Sequence, residues 1–207
     1  MSIDAQTIIT GARRHVRQTD PDNANLTDSD LLVYINEGTA LLSRELKTYT
    51  KVRRYDSVYQ GAKQHLPGDC YRIQHVTDSA GVPLQPLTLA EIQIANFADG
   101  LCYGPNGWCV FGNFLWVVPT MVSTVPINLL YAGRVPDIGS EDGVIDCPAT
   151  WERALVIYLA RAYLEEIESP RAGLYGEKFA AELAALTDAE NDRRAPLPTS
   201  PRIPPVS

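Results

Sequence analysis

Apolar residues recur at helical spacing near both ends of the chain and at strand spacing between them. The longest helical pattern runs from Pro148 to Glu168, where Trp151, Leu155, Tyr158, Leu159, Ala162 and Tyr163 repeat at threes and fours. Pro148 suits a first helical turn, where its missing N–H has no intrahelical partner to lose. Trp151, Leu155, Tyr158 and Ala162 form one stripe. Each large side chain gains roughly 1.5–3 kcal/mol on burial, so the stripe requires an apolar partner, and the matching pattern lies at 27–49. There Leu31, Ile35, Leu42, Leu46 and Tyr49 repeat, Thr27 and Asp30 fit a capping box, and Leu26 and Leu31 fit a hydrophobic staple across it. Gly38 interrupts the stripe at a cost of about 1 kcal/mol against Ala, and permits close helix packing.

Two more helices follow from the same pattern. Residues 3–18 place Ile8, Ile9, Ala12 and Val16 on one face and Arg13, Arg14 and Arg17 mostly on another. Turn formers at 19–25 end that helix. Ser169-Pro170 caps a last helix, marked by Leu174, Phe179, Leu183 and Leu186 and fading near Asp188.

From Lys51 the period shortens to two. Val52–Tyr59 is rich in β-branched and aromatic residues and predicts a strand; Tyr71–Val76 predicts a second. Pro83 and Pro86 hold 82–87 extended. Thr88–Ala95 reads as a short capped helix, with Glu91 three residues after Thr88. Residues 99–107 read as a loop. Trp108–Phe111 and Phe114–Val118 flank Gly112-Asn113, which predicts a hairpin. Val125–Tyr131 is a further strand, and Gly133–Cys147 a polar connector. The order helices, strands, helices predicts an α+β fold. Its helical bundle, of about four helices, is drawn from 1–50 and 148–190. A small antiparallel β unit with its connector is inserted at 51–147, and 191–207 forms an extended Pro-rich C-terminal tail.

Composition narrows the picture without changing it. A chain of 207 residues holds one domain, or a domain with an insert. Apolar content of 45% and charged content of 21% match ordinary globular proteins, and no apolar run reaches membrane-spanning length. The N-terminus lacks the pattern of a signal peptide. A net charge of −7 argues against a nucleic-acid wrapper. Residues 61–147 set Lys63, Arg72 and Arg134 against eight acids, net −5, while 1–60 is neutral. Cys70, Cys102, Cys109 and Cys147 show no CxxC spacing, which favours free thiols in a cytosolic setting over disulfides or zinc.

Candidate chemistry is sparse. His15, His65 and His75 are scattered, and no metalloprotease, hydrolase or nucleotide-binding motif occurs. No catalytic residue, metal ligand or cofactor is assigned. Asp137, Glu141, Asp142 and Asp146 cluster without calcium-loop spacing and read as a solvated loop. Arg13/Arg14/Arg17 and Lys51/Arg53/Arg54 are basic clusters with three readings: a phosphate contact, a contact to an acidic partner, or a solvated face. The tail has two readings, a disordered segment or one that orders on a partner. Its Ile203 and Val206 are apolar anchors that a solubilising tail does not need.

In combination these stretches resemble the small head-to-tail connector, or adaptor, proteins of tailed bacteriophages. TDSDLLVYINEGTALLSREL (27–46) is similar to the family's second helix, with Gly38 where alanine is usual. HLPGDCYRIQHV (65–76), PLQPLTLAEI (83–92) and FLWVVPTMVSTVPINLLYAGRVPDI (114–138) resemble its strand, step and hairpin. WERALVIYLARAYL (151–164) resembles its closing helix. The resemblance covers about 3–190; the Pro-rich tail and the loop CYGPNGW (102–108) fall outside it.

The resemblance implies a non-enzymatic virion protein at the head–tail interface, made in the host cytoplasm. It implies a dodecameric ring of copies docked under the portal protein, extending the DNA channel and presenting a surface to a tail or nozzle protein. DNA would pass without sequence-specific binding, and no membrane is involved. Within that frame 188–207 is the portal- or neighbour-engaging segment, with Arg202, Ile203, Pro204, Pro205 and Val206 as its contact residues. Lys51, Arg53 and Arg54 become a subunit-contact or channel patch. Two other classes stay open: a small cytosolic enzyme with an unrecognised site, and a regulatory binding module.

Overall fold

The computed structural model describes residues 2–19, 28–56, 63–91, 107–118, 126–140 and 142–194. The architecture is α+β, with helices at both ends of the chain and small, mainly antiparallel sheets between. The chain divides into two compact units: Met1–Leu46 with Val135–Ser207, and Lys47–Arg134. The proposed capping residues Leu26 and Thr27, the strand end at 57–59, residues 92–95, the loop at 99–106 and the tail at 195–207 lie outside the described residues.

The helical unit holds α1 (Ala5–Thr19), α2 (Asp28–Leu46), α3 (Glu152–Glu166) and α4 (Ala172–Arg194). α3 is its centre. A 3-10 turn at Ala149–Trp151 leads into it, with the Trp151 N–H donating to Pro148 O at 3.0 Å. Trp151 and Leu155 are buried as their stripe requires, but so are Ala154, Ile157, Leu159, Ala160, Tyr163 and Leu164. Apolar residues on more than one side of α3 therefore have partners beyond the 27–49 helix, the last helix among them. α2 packs on α3, and α1 and α4 cover it more extensively. The apolar residues off the main stripe are used inside the unit; Tyr158, for example, meets Phe179 of α4 edge-on at 5.4 Å.

Several boundaries move for local reasons. α1 starts at Ala5, because Ile3–Asp4 (β1) pairs antiparallel with Val144–Ile145 (β9). Asp4 Oδ1 then accepts from the Gln6 N–H, capping the helix start. α2 stops at Leu46, three residues short of Tyr49, because Lys47 takes φ +53, a left-handed helix terminator. In α4 the apolar face runs through Tyr175 and Phe179, both buried, while Leu174 points to solvent. α4 also continues past Asp188 to Arg194; its last turns are polar all round and carry an Arg193–Glu190 pair at 3.8 Å.

The segment 135–147 belongs with the helices rather than with the β unit that its polar sequence follows. Polar residues of α2 hold it. The Asn36 side chain both donates to Ile138 O and accepts from the Ile138 N–H, at 3.0 and 2.9 Å. Buried Ser43 accepts from the Val135 N–H at 3.2 Å and donates to Thr39 O at 2.6 Å.

Among its described residues the β unit contains two sheets. In the first, β8 (Ile127–Ala132) lies between β2 (Thr50–Tyr55) and β4 (Arg72–Asp78), antiparallel to both. The second runs β3 (Gln64–His65), β7 (Phe114–Val118), β6 (Gly107–Phe111), β5 (Gln85–Pro86). β6 and β7 form the predicted hairpin, with Gly112 at φ +59 in the first turn position, where a type II′ turn needs glycine. One pairing departs from the antiparallel expectation: β5 runs parallel to β6. The core of the unit joins Tyr55, Val76, Ile127, Leu129 and Tyr131 of the first sheet to Leu115 and Val117 of the second, with Leu84. The capping box at Thr88 is present: the Thr88 N–H donates to Glu91 Oε2 at 2.7 Å, and the Glu91 N–H to Thr88 Oγ1 at 3.3 Å.

Candidate functional site

Strand alternation divides the basic triplet of β2. Its register with β8 sets Lys51 opposite Tyr131, Arg53 opposite Leu129 and Tyr55 opposite Ile127, on the side of β2 whose Tyr55 joins the core, while Arg53 itself stays exposed. Val52 and Arg54 point the other way, opposite Leu130 and Asn128. Three basic residues within four positions of sequence thus serve two different surfaces.

Lys51 is committed to the fold. Its Nζ meets Asp69 Oδ2 at 2.6 Å, with both side chains under a third exposed, and lies 5.7 Å from the Tyr49 ring centre. The Asp69 carboxylate also accepts from the Tyr131 hydroxyl at 3.3 Å. Burial by itself raises the Asp69 carboxyl; the hydrogen bond and charge of Lys51, with help from the backbone and Tyr131, outweigh it and hold the group below its ordinary value. Burial and then the Asp69 charge push the Tyr131 phenol up to about 12. Arg53 lies 6.0 Å from the Tyr55 ring centre. Arg54 is solvent-exposed and pairs with Asp56 at 2.8 Å, a contact of small energetic weight at such exposure.

The outward face of the β2–β8–β4 sheet is therefore a mixed surface. Val52 is 66% exposed at its centre, beside half-buried Leu130. Arg54, Arg72 and His75 are exposed around them. The register places Arg72 opposite Ala132 and His75 opposite Leu130, on this same face, across an irregularity between Ile73 and His75. A β-bulge there supplies the extra residue that aims His75 outward.

The unit boundaries also redistribute charge. The β unit, 47–134, has seven Lys and Arg against five Asp and Glu, net +2. The helical unit has eleven against twenty, net −9. The acidity that a linear window assigns to the middle of the chain comes from Asp137, Glu141, Asp142 and Asp146, which fall in the helical unit.

On that unit the outward stripe of α2 is acidic around an apolar centre. Val33 is 54% exposed, with exposed Asp30 and Glu37 one turn to either side. The Tyr34 hydroxyl donates to Glu166 Oε2 of α3. Burial, the Glu166 hydrogen bond and the charges of Glu166, Asp30 and Glu37 all push that phenol above its ordinary range.

A cavity of about 630 Å³ lies among α1, α3 and α4, with Val156, Ile157, Lys178 and Glu182 in its walls. His15 Nδ1 and the buried Tyr175 hydroxyl are 3.3 Å apart at its edge. Burial, then the charges of Lys178 and Arg14, lower the His15 pKa, which favours neutral imidazole. Cys70, Cys109 and Cys147 are free thiols, and burial raises all three, Cys147 up to about 12. Thiols so protonated are poor nucleophiles. Among the described residues no group of three His, Cys, Asp or Glu is placed to hold a metal ion, and no helix is long and apolar enough to cross a membrane.

Counting apolar repeats alone missed Asn36, Thr39 and Ser43. Their spacing of three and four down one side of α2 was the available signal. Arg72 and His75 were visible as strand residues, but only the register sets them beside Arg54. Of the tail residues Arg202, Ile203, Pro204, Pro205 and Val206, all lie outside the described residues.

The family model described as SU10 adaptor protein matches residues 3–202. No curated protein matches the chain.

Proposed function

The chain belongs to the SU10 adaptor protein family, a family of phage head–tail adaptors, and from that membership we propose that it assembles as a ring beneath the portal, extends the DNA channel and docks the tail. The single observation that carries this reading is the family match, which spans both units. The physical features agree with it. A ring subunit needs two different side surfaces that complement each other, and the two units carry charge of opposite sign. An acidic helical unit would repel rather than grip passing DNA phosphates. In this reading the protein is structural, resides in the virion and takes no cofactor; its partners are the portal, a tail or nozzle protein and further copies of itself.

The tail is the proposed portal- or neighbour-engaging segment, through Arg202, Ile203, Pro204, Pro205 and Val206. Residues 188–194 of the proposed segment 188–207 are the last turns of α4, which runs to Arg194. The tail's apolar Ile203 and Val206, set among prolines, suit docking in a partner's groove. Of the triplet, Arg54 is proposed as the contact residue; Arg53 lies on the other face of β2 near the Tyr55 ring, and Lys51 is held by Asp69.

The test is electron microscopy of portal particles prepared with the full chain and with a chain ending at Arg194. The full chain gives a ring of density under the portal; absence of that ring overturns the adaptor-ring reading. The truncated chain stays folded by circular dichroism and does not join the portal. Complete assembly of the truncated chain overturns the role given to the tail and leaves the ring in place.

A further inference from the structure

The ring reading leaves open which surfaces join neighbouring copies. Two exposed patches on this chain match each other. One is the outward face of the β2–β8–β4 sheet: Val52 and Leu130 at the centre, Arg54, Arg72 and His75 around them, and no carboxylate among the strand residues on that face. The other is the outward stripe of α2: Val33 at the centre, Asp30 and Glu37 flanking it, and Glu166 alongside through Tyr34. Each centre exposes a valine by more than half, 66% for Val52 and 54% for Val33. Each rim carries the opposite sign.

We propose that the outward face of this sheet docks the α2 stripe of a second copy of the chain. An apolar centre with a charged rim is the usual anatomy of a specific contact. Opposite rims steer encounter and fix register, and add less to raw affinity. A helix laid on a sheet face is a common packing of these two elements. The sheet face measures roughly 14 by 20 Å from strand spacing and rise, smaller than a standard stable interface. A contact of that size is weak between two free copies, yet measurable at low salt where its opposite charges are little screened, and becomes secure when a closed ring repeats it. Because the two patches differ, the contact is heterologous: each copy offers one patch to each neighbour, as ring closure requires. Arg54 already pairs with Asp56 at its exposed strand end, so Arg72 and Arg54 together, rather than Arg54 alone, supply the basic rim.

This inference rests on the ring reading, and its test involves no portal. Sedimentation velocity is run on the full chain at about 20 mM and about 300 mM salt, conditions that change charge screening severalfold. The wild-type chain self-associates at low salt and weakens at least about tenfold at high salt. R54E/R72E reverses the sheet face and D30K/E37K reverses the helix stripe. Each variant alone, confirmed as folded by circular dichroism, loses association by at least about tenfold. An equimolar mixture of the two regains it, because every sheet face then meets a stripe of opposite sign. A wild-type chain that stays monomeric at low salt overturns the pairing. So does a variant that associates like wild type, or a mixture that stays apart. A wild-type chain that forms the ring on the portal while failing these tests overturns the pairing alone.

Discussion

Gly38 of α2 stands so close to Tyr158 of α3 that a Cβ at residue 38 would lie 2.8 Å from Tyr158 Cδ1 and 3.2 Å from Leu155 Cδ2. The glycine gives up helix propensity, about 1 kcal/mol, for a close crossing of two helices. Gly38→Ala recovers the propensity and incurs overpacking of roughly 1–3 kcal/mol. The expected net effect is a loss of about 1 kcal/mol in urea denaturation. Combining Gly38→Ala with Tyr158→Leu removes the clash; the double variant is expected to be more stable than the sum of the single effects. Strict additivity of the two would show that the ring does not crowd residue 38.

The two faces of the β2–β8–β4 sheet differ in what they tolerate. Leu129 is fully buried at the centre of β8, so Leu129→Ala is expected to cost 2–5 kcal/mol, by analogy with other buried leucines, about the range of large-to-small core changes. Val52→Ser on the opposite face is expected to change stability by less than about 0.5 kcal/mol. Equal costs at the two positions, read from chemical denaturation, would mean that the outward face is not a free surface.

Asp69 makes the β unit acid-sensitive. Its folded-state pKa lies below the ordinary 3.8, so the unfolded state binds the proton more readily. The Lys51–Asp69 contribution is therefore complete above the ordinary value and is lost as pH falls through the lowered one. Asp69→Asn is expected to cost about 1 kcal/mol at neutral pH, given partial exposure. The gap between wild type and variant should close in acid below the lowered value. A gap that persists unchanged into strong acid would assign the effect to packing instead of charge.

His15 has the same sign for a different reason. Burial, Lys178 on α4 and Arg14 on its own helix disfavour the imidazolium, and the Tyr175 hydroxyl stands 3.3 Å from Nδ1. The folded pKa lies below 6.5, so stability is complete above that value and falls as pH drops through the lowered one. Thermal unfolding from about pH 7.5 to about pH 5.5 should show a decline in wild type that His15→Gln flattens. Parallel profiles for the two proteins would place the titration elsewhere.

Much of the molecule was legible in its periods. Ile8, Ile9, Ala12 and Val16 are all buried as their spacing predicts. The hairpin turns at Gly112, and the Thr88–Glu91 box closes as written. These features depend on residues near one another in sequence, whose steric and hydrogen-bonding preferences act locally. The end of α2 was less legible, because termination rests on Lys47 adopting a left-handed conformation that its side chain does not announce.

The candidate interface was legible only in its parts. Arg54, Arg72, Val52 and Val33 are plain in the sequence, but Lys51, Arg53 and Arg54 looked like one cluster. Pleating, together with pairing to β8, sent Arg54 outward and gave Lys51 to Asp69.

By itself, then, the sequence determined the element types, the apolar face of α1, the hairpin and the capped turn, since each depends on local spacing. Tertiary structure alone decided that α3 is enclosed by three helices, that 135–147 belongs to the acidic unit, and that an apolar, basic sheet face stands exposed. Those outcomes depend on register and long-range contact, which a one-dimensional pattern does not contain.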